Sequence, residues 1–214
     1  MIRKLLILLL LPLLAISQTP GDQIKLLKNS FLLVRLKTSE KKIEAAQDAG
    51  LSDFANEIKE KQKAENEEIV KAFSSYYNFC PVYFFYSSCS KQVAERNFEG
   101  CLLGENLKPL LEVPRIDDFF IAEFDYVKKS EDQHFSHYSI DYDTAGYKEY
   151  SPNYYGGTET GPDALVMMDS RFHQLTRPFP YYIRTYQGFL FFKRDKETTV
   201  RKFNKKLSDY YIKK

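Results

Sequence analysis

Two groups of residues in this chain are of types that do chemistry: three cysteines, Cys80, Cys89 and Cys101, and a histidine-acid cluster between residues 134 and 149. Cys89 lies in Tyr86-Ser87-Ser88-Cys89-Ser90, where an apolar run passes into the start of a helical segment. A thiol at a helix amino terminus has its thiolate stabilised by the free N–H groups and the helix dipole. Cys89 is therefore the candidate catalytic nucleophile. His134, His137, Asp141 and Asp143 read H-x2-H-x3-D-x-D, with Glu149 following. Two imidazoles and a carboxylate can hold zinc or another first-row metal, so these four are the candidate metal ligands. The i,i+3 histidines share a face only on a helix, and this stretch, rich in Tyr and Gly, does not read as one. A solvated acidic loop is the preferred reading, and no cofactor is expected.

The strand-turn-Cys-helix order over about ten residues at Cys89 resembles the nucleophile position of thioredoxin-like proteins, but Gln92 stands where a C-x-x-C motif has its second cysteine. The odd count leaves at least one thiol unpaired. If residues 81 to 88 form one extended strand, Cys80 and Cys89 are ~30 Å apart at 3.3 Å per residue, far beyond the roughly 7 Å between Cα atoms that a bridge allows. A disulfide would therefore involve Cys101. The preferred reading is that all three are small buried apolar residues. The chain has no G-x-S-x-G elbow, Walker A loop, G-x-G-x-x-G, H-E-x-x-H or EF-hand pattern. Gly156-Gly157 beside Tyr154 and Tyr155 reads as a turn flanked by loop aromatics, and His173 as a surface residue of a hairpin.

The elements that must position these residues follow from hydrophobic patterning. The run 30–37 is a mostly buried strand. Thr38 or Ser39 caps a helix that Gly50 stops. A second helix of roughly 25 residues, ~37 Å long, starts at Ser52 or Asp53 and projects its polar middle, Lys59 to Glu68, into solvent. Val82 to Ser87 is an emphatic strand. Strand, helical crossover and strand imply two parallel neighbours. A short helix through Arg96, a loop over 98–117 and a strand over 119–127 follow. Residues 128–162 form a long polar loop, of the kind that is functional or partly disordered. Ala164 to Met168 is a strand with a hairpin return at Phe172 to Leu175. Arg177-Pro178-Phe179-Pro180 is extended, because a residue before proline is pushed out of helical geometry. Tyr181 to Tyr186 is a further strand, and Thr198 or Thr199 to Ile212 a closing helix with Val200, Phe203, Leu207, Tyr210 and Tyr211 on one face. The fold class is α/β: a central mixed sheet of four to five strands flanked by helices, with a distantly thioredoxin-like strand order.

The first 17 residues read as a secretory signal peptide: Arg3 and Lys4, an apolar run from Leu5, and Ala15 and Ser17 as the small residues before cleavage. The apolar run is too short to span a membrane, which takes ~20 residues. The expected organisation is a signal over 1–17, a lead-in over 18–29 and one α/β domain over 30–214, periplasmic or extracellular and without a membrane span. Length permits such a domain, since 214 residues bury about 70% of the unfolded chain's surface. The formal charge of +2, from 31 basic and 29 acidic residues, belongs to the signal, so the mature chain is neutral. Charge is nevertheless segregated. Residues 193–214 hold nine Lys or Arg against three acids, and residues 116–149 hold nine acids against Lys128, Lys129 and Lys148. A nucleic acid bound to the basic tail would also confront the acidic stretch, so no nucleic-acid partner is expected. The basic strip is read instead as a solvated helix face or as docking on the chain's own acidic half.

From Phe31 onward the succession Leu33-Val34-Arg35-Leu36-Lys37, Asn78-Phe79-Cys80-Pro81 with the strand after it, and Arg177-Pro178-Phe179-Pro180-Tyr181-Tyr182 resembles an uncharacterised family of small exported Bacteroidota proteins. The resemblance implies location and lineage and supplies no catalytic residues. The leading expectation is a non-enzymatic exported protein with a binding or structural role, its partner an envelope or other periplasmic protein. The alternatives are a thioredoxin-like thiol protein using Cys89 and a metal-binding protein using His134 and His137.

Overall fold

The computed structural model describes residues 20–128, 138–142, 148–152, 160–186 and 193–213. In chain order the elements are α1 (Pro20–Lys28), β1 (Phe31–Leu36), α2 (Glu40–Asp48), α3 (Ser52–Tyr76), β2 (Val82–Tyr86), a 3-10 turn (Ser87–Cys89), α4 (Ser90–Ala94), β3 (Phe119–Lys128), β4 (Tyr138–Tyr142), β5 (Lys148–Pro152), β6 (Thr160–Met168), β7 (Tyr182–Arg184) and α5 (Lys196–Ile212). Leu32, Leu33, Val34 and Leu36 of β1 are all fully buried, which requires a strand covered on both faces. β1 accordingly lies inside a five-stranded mixed sheet of order β2-β1-β3-β6-β7. It runs parallel to β2 and β3, as the crossover pattern implies, while β6 and β7 add antiparallel pairs.

Alternation along the strands builds two cores. On one face Leu32, Val34 and Phe84 pack with Ile24 and Leu27 of α1, Phe73 of α3 and Phe203 and Leu207 of α5. On the other, Leu33, Phe85, Phe119 and Ile121 pack under Val93 of α4 and under Phe98, Leu102 and Ile116 of the irregular segment before β3. The connection from β1 to β2 thus covers the first face and the connection from β2 to β3 the second. The chain departs from β1 and β3 in opposite directions, which makes the β1/β3 crevice at the strands' carboxyl ends the topological switch point of the sheet.

Several local expectations change. The middle of α3 does not simply project into solvent. Asn66 is buried and donates to the Lys37 carbonyl at 2.8 Å, Gln62 donates to Asn66 at 3.3 Å, and Ser39 donates to Gln62 at 2.6 Å. Amides four residues apart share a helix face, and this polar seam holds the chain as it leaves β1. The closing helix starts at Lys196, ahead of Thr198, because Asp195 accepts from the Thr198 N–H at 2.7 Å and caps it. Its apolar face packs in the α1/α3 core, while among the described residues its cations meet Glu65, Asp209 and the Tyr182 carbonyl. The acids Glu123 and Asp125 are met instead by Arg35 and Lys37. Parallel register pairs Arg35 with Glu123, while Lys196 of the basic strip lies 4.1 Å from the Phe124 ring centroid within the acidic stretch; Glu131, Asp132 and Asp143 lie outside the described residues, and Asp141 and Glu149 are described by their backbone alone.

The segment read as a polar loop over 128–162 contains β4 and β5, an antiparallel pair with Asp141 opposite Glu149 in register, and the ends of β3 and β6. The β3/β6 register shifts between Tyr126 and Lys128. There a side chain on Gly161 would collide with the Val127 carbonyl, so this close backbone approach requires glycine. The hairpin return over 172–175 reduces to one bridge, Met168 to Gln174, held by an Asp169 turn, and β7 supplies the next strand. The segment before it is not extended. The chain turns through a cis Arg177–Pro178 bond with the Phe179 N–H on the Thr176 carbonyl at 3.1 Å, a choice of isomer that the pre-proline rule does not address.

Candidate functional site

Open α/β sheets bind ligands outside the carboxyl ends of their strands, at the switch point. Here the residues at that place are Arg35 and Lys37 from β1 and its end, Glu123 and Asp125 from β3, and Thr38, Ser87 and Ser90 from the chain leaving β1 and β2. Arg35 and Glu123 are register partners. Arg35 Nη1 donates to both carboxylate oxygens of Glu123, at 3.1 and 2.9 Å, and its Nε donates to Ser90 Oγ at 2.9 Å. Ser90 in turn donates to the Ser87 carbonyl at 2.6 Å, and the guanidinium lies 5.7 Å from the Phe172 ring centroid. The Glu123 side chain is 4% exposed and that of Arg35 28%. Burial raises the Glu123 carboxyl above its ordinary range, with Arg35 acting in the opposite direction. Nearer solvent, Lys37 and Asp125 pair at 3.1 Å. The Thr38 N–H donates to Ser87 Oγ at 3.2 Å, and the two hydroxyls lie 3.0 Å apart.

A carboxyl with a raised pKa beside a guanidinium is a constellation suited to acid-base work. In this arrangement, however, the polar groups satisfy one another: Glu123 is held by Arg35, Arg35 by Ser90 and Ser90 by Ser87. None of these residues was singled out as a candidate from the sequence. The available signal was a single charge inside each of two runs apolar on both faces, Leu33-Val34-Arg35-Leu36 and Ile121-Ala122-Glu123-Phe124, of opposite sign. Such charges are almost never fully buried unless paired.

Cys89 stands at the end of the 3-10 turn, where α4 begins. It forms a disulfide with Cys101, twelve residues on, with Cα atoms 5.8 Å apart. The reading of all three cysteines as unpaired apolar residues is therefore corrected for two of them, and Cys89 is not a free thiol. Leu103 explains the pairing: its N–H and carbonyl exchange hydrogen bonds of 2.7 and 3.1 Å with Phe84, which lays the segment carrying Cys101 beside the end of β2. The second cysteine of the bridge is brought by tertiary structure and not by a C-x-x-C spacing. Cys80 is the free cysteine and is buried, 3.1 Å from the Tyr77 hydroxyl. Burial pushes its thiol up to about 11 against the weaker opposing pull of Tyr77 and Lys28, so it is not an activated nucleophile.

Of the metal candidates, His134, His137 and Asp143 lie outside the described residues, and Asp141 is described only by its backbone place in β4. Among the described residues no three His, Cys, Asp or Glu side chains gather as a metal site. His173 is exposed, with Nδ1 3.6 Å from Asp169. The Tyr154-Tyr155-Gly156-Gly157 turn and the signal segment 1–17 also lie outside the described residues, and no helix among those described is long and apolar enough to cross a membrane. No family model, curated protein or solved structure matches the chain.

Proposed function

We propose that this chain is an exported, non-enzymatic α/β protein with a binding or structural role in the envelope, of the kind that its resemblance to exported Bacteroidota proteins suggests. The observation that carries the reading is the closure of the switch-point crevice. Where an α/β enzyme presents unsatisfied groups to a substrate, this sheet presents Arg35, Glu123, Ser90 and Ser87 bonded to each other, with Phe172 against the guanidinium. Export is supported by the Cys89–Cys101 disulfide, since such bonds persist in oxidising compartments and are rare in the cytosol.

Two measurements test the reading. Intact mass of protein from the periplasmic fraction should begin at Gln18 and show one alkylatable thiol, Cys80, after denaturation without reductant. A chain recovered only from the cytosol with three reactive thiols refutes export. Ester, phosphoester, glycoside and disulfide substrates should be turned over no faster by the parent than by Arg35→Met/Glu123→Leu, and turnover by the parent that this double variant loses would refute the non-enzymatic reading.

A further inference from the structure

The turn at Arg177 to Tyr182 faces the last two turns of α5 across a cleft of about 470 Å³, within the range of roughly 300 to 1,000 Å³ typical of small-molecule sites. Its wall is anchored from behind. Phe179 is buried, stacked on Phe120 at 6.4 Å and edge-on to Tyr210 at 6.0 Å. Pro178 and Pro180 fix φ at two of the wall's positions, so the wall is formed before any ligand arrives and little ordering entropy opposes binding. Tyr181 and Tyr182 are half-buried, with ring centroids 4.7 Å apart and planes at 60°. Lys206 Nζ lies 5.6 Å from the Tyr182 ring centroid, which leaves Tyr181 as the ring offered to the cleft.

Charge in the cleft is one-sided. Arg177, Lys206 and Lys213 line it against a single carboxylate, Asp209, and both oxygens of Asp209 are already taken by Lys205 at 3.2 and 2.9 Å. Arg177 and Lys213 are exposed and make no ion pair with the described residues. Strand addition by a peptide is disfavoured, because the edge carbonyls of β7 are occupied: Tyr182 accepts from Lys206 at 3.4 Å and Arg184 from Arg194 at 2.9 Å. A ligand suited to the remaining features has an apolar face for a tyrosine ring, hydroxyls at its edge for the phenol groups, and a negative charge for Arg177 and Lys213.

We propose that this cleft binds an acidic sugar, with its ring against Tyr181 and its carboxylate or phosphate held by Arg177 and Lys213. The proposal rests on the binding role given above and names its ligand class. Calorimetric titration of the mature chain at about 50 mM salt, where exposed charges are weakly screened, with a glucuronate disaccharide, glucose 6-phosphate, glucose and inorganic phosphate tests it. At least one acidic sugar should bind, and the ratio of the two identifies carboxylate or phosphate as the anion. Glucose and inorganic phosphate should each bind at least about tenfold more weakly. The Arg177→Gln/Lys213→Gln variant should lose about five- to tenfold in acidic-sugar affinity at unchanged thermal midpoint, and Tyr181→Ala should lose several-fold. Binding of inorganic phosphate as tight as that of the sugars would reduce the cleft to a cation patch and overturn the proposal. So would acidic-sugar affinity unchanged in the double variant, or no binding at all. None of these outcomes alters the amino terminus or thiol count on which the exported reading stands.

Discussion

Replacing Arg35 by Met removes both bonds to Glu123, the bond to Ser90 and the contact on Phe172 while retaining most of the side chain's volume. Glu123, 4% exposed, is left as a buried carboxylate without its cation. Removing one partner of a buried pair costs about 3–5 kcal/mol. That cost depends on pH, and the sign follows from the raised pKa of Glu123. A carboxyl whose folded pKa lies above its unfolded value binds more protons in the folded state across the interval between the two. Stability therefore falls as pH rises through that interval and is greatest below it. Without Arg35 the folded pKa moves further up and the interval widens, each pH unit in it being worth at most ~1.4 kcal/mol. Urea unfolding followed by circular dichroism and tyrosine emission, in a chain with no Trp, should show Arg35→Met destabilised by about 3–5 kcal/mol near pH 8. At pH 5 the loss should be smaller, because the raised carboxyl is then nearer its proton uptake. In Arg35→Met/Glu123→Leu the pH dependence should vanish and most of the stability return, since apolar replacement of a whole buried pair is often neutral. A loss equal at both pH values, or a double variant as unstable as the single one, would refute the account of Glu123 as a buried charge held by Arg35.

Three other perturbations probe the frame around it. Cys89→Ser/Cys101→Ser should cost about 3 kcal/mol by the loop-entropy relation and hold the alkylatable thiols of the denatured protein at one with or without reductant, where the parent rises from one to three on reduction, read by intact mass. Asn66→Ala leaves the Lys37 carbonyl without its donor and should cost about 1–3 kcal/mol in the same urea assay, whereas Ala64→Ser, on the exposed side of the same helix, should be within about 0.5 kcal/mol of the parent. Gly161→Val places a branched side chain against the Val127 carbonyl and should lower the thermal midpoint and speed amide exchange at the β3/β6 end more than in β1. Equal exchange in both strands would refute the close approach.

Runs apolar on both faces, 31–36 and 119–124, announced covered central strands, and the order of strands and helices announced a mixed sheet with parallel neighbours, because patterning reports burial directly. The faces of α3 and α5 followed from their 3.6-residue period in the same way, with Phe73, Phe203 and Leu207 in one core. The site was not legible. Arg35 and Glu123 are 88 residues apart, and their meeting depends on the register of β1 against β3, which no local pattern encodes.

Local periodicity and the length of one strand suffice for the fold class, the covered strands and the requirement that any disulfide include Cys101. Tertiary structure alone decided that Cys89 is the partner, that the acids of β3 are met by β1 and not by the basic helix, and that the middle of α3 is a polar seam. Each of these depends on which surfaces come together across tens of residues, and the free energy that selects them appears only once both cores have formed.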